Sequence, residues 1–279
     1  MNEQARVQPW RRARREHTNS HLRTLRRTRG SNTALVTGQL HNARMNVVIS
    51  GYTAAGKTTH ARMLAESLGF SVVWAAGMLL EQLGIDPAAT DESRLWFESH
   101  RALAERRKSE KSDAVVDRTL VERLAGEDEL VFDSRFLPWL SDVDCVRVWI
   151  DSDLGSRARK CFVSLGCNDP SLLDCALHVH DKDMLDIARV ARSYGSIFTA
   201  DTTRFDVVLD NSALMPDPDP QAAQAGIARF HPYLLAAVRA AQGETAGLSA
   251  LLRDAPTEYG HVVRYVRRVR THLVDADLH

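Results

Sequence analysis

Gly51-Tyr-Thr-Ala-Ala-Gly-Lys-Thr-Thr59 decides the reading of this chain. The stretch fits G-x-x-x-x-G-K-[ST], a turn whose backbone N–H groups point inward around a polyphosphate. Its surroundings agree. The apolar run Met45-Asn-Val-Val-Ile49 precedes it as a short buried strand, and His60-Ala-Arg-Met-Leu-Ala-Glu-Ser-Leu68 follows as a helix that Gly69 is placed to stop. A strand, a glycine-permitted loop and a helix N-terminus in that order make an anion cradle. The sequence predicts a chain that binds a nucleoside triphosphate.

Working outward, short apolar runs alternate with helical patterns. Ser71-Val-Val-Trp74, Leu130-Val-Phe-Asp133, Cys145-Val-Arg-Val-Trp-Ile-Asp151 and Phe205-Asp-Val-Val-Leu-Asp210 read as four further strands. Segments 91–108 and 112–125 read as charged amphipathic helices, and Ser171–Ser193 as a helix ended by Gly195. This pattern predicts an α/β fold, a parallel sheet with helices on both faces. Ligands sit at the carboxyl edge of such sheets, so Asp133, Ser134, Arg135 and Asp151 are expected near Gly51–Thr59. Pro216-Asp-Pro-Asp-Pro220 reads as a stiff linker, followed by helices near 221–241, 246–253 and 257–270. Val262, Tyr265, Val266 and Val269 give the last of these one apolar face.

Composition bounds the function. With 44% hydrophobic and 26% charged residues the chain reads as soluble and globular, and no apolar stretch approaches the ~20 residues that span a bilayer. Cys145, Cys161, Cys167 and Cys175 lack C-x-x-C spacing, so reduced thiols in a cytoplasmic protein are expected. The formal charge of zero hides a division: residues 1–44 carry +8 and the rest −8. An acidic body argues against nucleic-acid binding by the folded part. The arginine-rich arm 1–44 has three open readings: a nucleic-acid tail, a transit peptide, or an unstructured extension with the true start at Met45. It has no h-region, so secretion is not expected. His178 and His180, two apart on a helix, face different sides and are not read as a metal pair.

From Met45 to about Ser212 the chain resembles the cytidylate kinases, especially their short archaeal-type branch. The likeness rests on order and spacing. The loop Gly51–Thr59 leads to a helix ending Leu68-Gly-Phe70, then Leu130-Val-Phe-Asp-Ser-Arg-Phe136. Val148-Trp-Ile-Asp-Ser-Asp-Leu-Gly-Ser-Arg-Ala-Arg-Lys160, Ala188-Arg-Val-Ala-Arg-Ser-Tyr-Gly195 and Phe205-Asp-Val-Val-Leu-Asp-Asn-Ser212 follow. The resemblance implies a three-layer P-loop kinase fold with a five-stranded parallel core over residues 45–213. A lid insertion over about 153–195 and an extra helical region, 214–279, complete it.

The resemblance also implies site roles. The amides of Gly51, Tyr52, Thr53, Ala54, Ala55, Gly56, Lys57, Thr58 and Thr59 hold the phosphates of ATP. Lys57 reaches the β/γ oxygens, and the Thr58 hydroxyl ligates Mg²⁺. Asp133 orients the metal's waters or holds the acceptor, and Arg135 grips the acceptor. Arg157 and Lys160 close over the migrating phosphoryl group. Lys182, Asp186 and Arg189, at i, i+4 and i+7 on one helical face, read the base and acceptor phosphate.

This chain also departs from the family. Trp74-Ala-Ala-Gly-Met-Leu-Leu-Glu81 lacks the arginine that holds the acceptor phosphate, Cys161-Phe-Val-Ser-Leu-Gly-Cys167 replaces a basic run, and Lys182 stands where arginine is preferred. Three functions stay open: a kinase of a pyrimidine nucleoside monophosphate, CMP or dCMP; a kinase acting on a hydroxyl of a modified nucleoside or small metabolite, with Asp133 receiving the proton; and a nucleotide-binding regulatory protein. No membrane partner is expected.

Overall fold

The computed structural model describes residues 45–110 and 112–269. The basic arm 1–44 lies outside them, as does residue 270. In chain order the described elements are β1 (Val47–Gly51), α1 (Lys57–Leu68), β2 (Ser71–Trp74), α2 (Ala75–Gln82), α3 (Glu92–Glu110) and α4 (Ser112–Gly126). Then come β3 (Leu130–Asp133), α5 (Leu137–Leu140), β4 (Val146–Asp151), α6 (Leu154–Ser164), α7 (Leu172–Tyr194) and β5 (Val207–Asp210). After β5 lie α8 (Pro220–Ala241), α9 (Thr245–Asp254) and β6 (Val263–Val266).

The strands form one sheet in the order β2-β3-β1-β4-β5-β6. The first five are parallel and in the expected places; β6 adds a sixth, antiparallel to β5. Here the sequence reading is corrected: among the described residues of 257–270 no α-helix forms, Thr257–Tyr259 making one 3-10 turn and Val263–Val266 a strand. Val262-Val-Arg-Tyr-Val266 is a β-branched and aromatic run, and pairing with an open sheet edge uses its backbone groups better than an isolated helix does. Tyr265 pairs opposite Val208, and Val269 N–H donates to Ala241 O at 2.9 Å.

Both faces of the sheet are covered, as continuous apolar strands require. On one face Val47, Ile49, Val148 and Ile150 pack with Leu64 of α1 and with Phe230, Leu234 and Val238 of α8. On the other, Val48, Val73 and Phe132 meet Leu80 of α2 and Leu120 of α4. A separate small core, Cys161, Leu165, Cys175 and Val179, joins α6 to α7.

Pro220, read as the end of a linker, is the first residue of α8, with the Asp219 side chain accepting from the amides of Gln221 and Ala222 at 2.8 and 2.9 Å. An aspartate N-cap before a proline at the first helical position satisfies the free amides and presets the backbone.

Candidate active site

The loop starts where β1 meets β4. Gly51 has φ 148°, and a Cβ there would lie 2.3 Å from Ile150 O, so the backbone passes β4 too closely for any side chain. Ala54 and Gly56 also hold left-handed φ values, 57° and 93°, and α1 begins at Lys57. Thr53, Ala54, Gly56, Lys57, Thr58 and Thr59 line a cleft of about 570 Å³. Ala55 is buried, and its carbonyl accepts from Asn211 Nδ2 at 2.9 Å. Tyr52 points away from the cleft into an aromatic cluster, its hydroxyl donating to Phe198 O at 3.1 Å.

Lys57 Nζ donates to Tyr52 O at 2.6 Å. Burial lowers its pKa to about 7, with the nearby Arg135 guanidinium adding to the effect. The Thr58 hydroxyl donates to Asp133 Oδ2 at 2.5 Å. Asp133 is the last residue of β3, so the parallel register that sets Ile49 beside it also delivers its carboxylate to the start of α1.

Arg135 and Asp186 form an ion pair on the cleft wall. Arg189 is gripped by Asp113 and Asp117 of α4 at 3.1 and 3.0 Å and lies 4.3 Å over the Phe136 ring. Lys182 Nζ stands 4.6 Å over Trp96. Lys182, Asp186 and Arg189 thus line the same cleft as the phosphate loop.

Arg157 and Lys160, three apart on α6, separate. Lys160 lines the cleft, donating to Asn211 Oδ1 at 2.5 Å and Ser152 Oγ at 2.9 Å, and burial lowers its pKa to about 7. Arg157 is buried behind the loop, off the cleft wall. It pairs with Asp183, stacks 5.1 Å from the Tyr52 ring and donates to Ser152 O at 2.9 Å and Thr53 O at 3.3 Å. Asp151 lies near the loop, its charge reaching Tyr52, but off the cleft wall, and it meets Arg264 of β6 at 2.7 Å.

Sequence reasoning missed Asp113, Asp117, Asp183 and Asn211. Asn211 follows the end of β5, so the strand-end rule that found Asp133 reaches it as well. The three aspartates sit in charged helical stretches where nothing local separates a cleft wall from a solvated face.

A glycine-cornered loop ahead of a helix, a buried lysine and a threonine–aspartate pair at the carboxyl edge of a parallel sheet define a P-loop kinase, a phosphotransferase. The chain belongs to the cytidylate kinase-like family, whose model matches residues 46–213. It is 26% identical over 172 residues to a cytidylate kinase of Pyrococcus furiosus, covering 61% of this chain and 82% of that one. A second, from Pyrobaculum aerophilum, is 30% identical over 169 residues, covering 60% and 84%. Among solved structures, a shikimate kinase from Bacteroides thetaiotaomicron matches 68% of this chain and 98% of its own at 15% identity, with TM-score 0.40. No helix among the described residues is long and apolar enough to cross a membrane.

Proposed function

We propose that this chain moves the γ-phosphoryl of ATP to a pyrimidine nucleoside monophosphate, CMP or dCMP. One observation carries the reading: the phosphate loop and Lys182, Asp186 and Arg189 line a single cleft. A carboxylate beside a guanidinium, as Asp186 stands beside Arg135, complements an amino group next to a ring acceptor, the edge that cytosine presents. The names of the family's relatives support the same acceptor.

The Thr58 hydroxyl and Asp133 carboxylate are hard oxygen donors held together, a set that suits Mg²⁺. When bound, the ion draws negative charge off the transferring phosphoryl group. The chain's own part is positioning and charge. The loop amides receive the β-phosphate. Lys57, released from Tyr52 O, reaches the β/γ oxygens, and Lys160, also on the cleft wall, faces the donor. Phosphoryl transfer asks for little more than such in-line placement and neutralisation, and a phosphate acceptor arrives already ionised, with no proton to remove.

The intact Lys57, Thr58 and Asp133 constellation favours an enzyme over a purely regulatory nucleotide binder. The experiment follows ADP formation from ATP and Mg²⁺ with CMP, dCMP, UMP, AMP and shikimate. Stimulation by CMP or dCMP above the others supports the reading; ATP binding without turnover on any acceptor overturns it.

A further inference from the structure

The cleft is built from more of the chain than the family model matches. That match stops at residue 213, yet Leu214, Met215, Ala223, Ile227 and Phe230 line the same cleft as the phosphate loop. The last three belong to α8.

Contacts fix where this wall stands. The Phe230 ring lies 4.6 Å from the ring of His60 on α1. His60 follows Lys57 by three residues, about 4.5 Å along the helix axis, so the wall begins within one helical turn of the phosphate loop. A Cβ on Gly226 of α8 would lie 2.5 Å from Leu214 O, so the helix and the chain after β5 approach at backbone distance. Met215 O accepts from Arg159 Nε of α6 at 2.8 Å. Asn211 joins the same junction to the loop, donating to Ala55 O at 2.9 Å and accepting from Lys160.

The chemistry of the wall is aliphatic and aromatic. Leu214, Met215 and Phe230 are buried, whereas Ala223 and Ile227 of α8 and Val163 of α6 are half-buried on the cleft wall. Apolar side chains left half-wet in a cleft gain most from a flat, weakly polar ligand surface that displaces their water. In a nucleoside triphosphate only the base offers such a face. The cleft's other apolar stretch, Val116 and Leu120 of α4, shares its helix with Asp113 and Asp117, which hold Arg189. That stretch goes with the residues assigned to the acceptor, and the wall against α1 goes with the donor.

Accepting the reading above that Gly51–Thr59 receives ATP, we infer that α8 forms a wall of the donor site and that Ala223 and Ile227 pack against the face of the donor's purine ring. Part of the region beyond the family match thereby acts in donor binding.

Calorimetric titration of the full chain with Mg²⁺ tests this, comparing a non-hydrolysable ATP analogue with inorganic tripolyphosphate, which has no base. The parent is expected to bind the analogue at least about tenfold more tightly, the worth of a ring face withdrawn from water. Ile227→Trp puts a bulky neutral side chain where the ring lies and is expected to weaken the analogue about tenfold or more, with tripolyphosphate unchanged. Ile227→Ala, a milder change, is expected to weaken the analogue about fivefold, as one or two methylene contacts are lost. Thermal unfolding of the same preparations shows whether each variant is folded, and the alanine variant keeps the test open if the tryptophan variant is not. An unchanged analogue affinity, an equal loss for both ligands, or a loss confined to CMP overturns the inference and leaves the ATP reading standing. A parent that binds neither analogue nor tripolyphosphate overturns the ATP reading itself.

Discussion

The Thr53 amide donates to Asp183 Oδ1 at 2.9 Å while the other oxygen of that carboxylate pairs with Arg157. Helix α7 is thereby bonded to the second residue after Gly51 of the phosphate loop. Lys182 and Asp186 stand near Asp183 on α7, so one buried pair ties the proposed acceptor residues to the loop. Asp183 and Arg157 are only 5% and 8% exposed.

Asp183→Ala leaves the Arg157 guanidinium buried without its carboxylate. Breaking one side of such a pair costs about 3–5 kcal/mol, read as a lower denaturation midpoint in urea at unchanged slope. The double variant Asp183→Asn with Arg157→Gln restores a neutral hydrogen-bonding pair and is expected to recover much of the loss. A single variant as stable as the parent contradicts the buried-pair account.

Lys57→Ala is expected to abolish transfer without unfolding the chain, because the 2.6 Å hydrogen bond that Lys57 Nζ donates goes to Tyr52 O of the same loop. Losing one charged stabiliser of the transition state costs about 10²–10³ in kcat. Thermal unfolding and ADP release on the same preparation separate the two effects; parental turnover contradicts the assignment.

Gly51→Ala forces a Cβ to within 2.3 Å of Ile150 O at φ 148°. The loop and β4 must move apart, an overpacking cost of about 1–3 kcal/mol, and the displaced amides weaken ATP binding. Calorimetric titration and thermal unfolding are both expected to fall; unchanged ATP affinity contradicts the close approach.

The lysines give a pH signature. Burial holds Lys57 and Lys160 at about 7 in the folded chain, against an ordinary lysine value near ~10.4. Between those values the unfolded chain binds more protons than the folded one, so these groups make stability rise with pH through that window and withdraw it as pH falls toward 7. Phosphate oxygens beside the ammonium groups favour the charged form. Binding of a magnesium-bound ATP analogue at pH 8 is therefore expected to take up protons, measured by calorimetry in buffers of different ionisation heat. Heat independent of the buffer contradicts it.

Much of this architecture is legible in the sequence because its signals are local. The apolar runs before Gly51, Asp133 and Asp151 mark buried strands. Gly69 and Gly195 stop helices as left-handed caps, at φ 72° and 60°. The run Val262–Val266 misleads because its spacing suits one helical face, while the open edge of β5, 50-odd residues earlier, offers partners that no local window contains. The cleft is half legible for the same reason. Lys57, Thr58 and Asp133 follow from a motif and a strand end. Asp113, Asp117 and Asp183 acquire meaning only when α4 and α7 close on Arg189 and Arg157.

The central claim is that Gly51–Thr59 cradles the triphosphate of ATP, and a crystal structure with a non-hydrolysable ATP analogue and Mg²⁺ tests it most directly. The account predicts the β-phosphate within hydrogen-bond reach of the amides between Ala54 and Thr58, with Lys57 Nζ moved from Tyr52 O onto the phosphate oxygens. An analogue bound elsewhere, with Lys57 still on Tyr52 O, would contradict it.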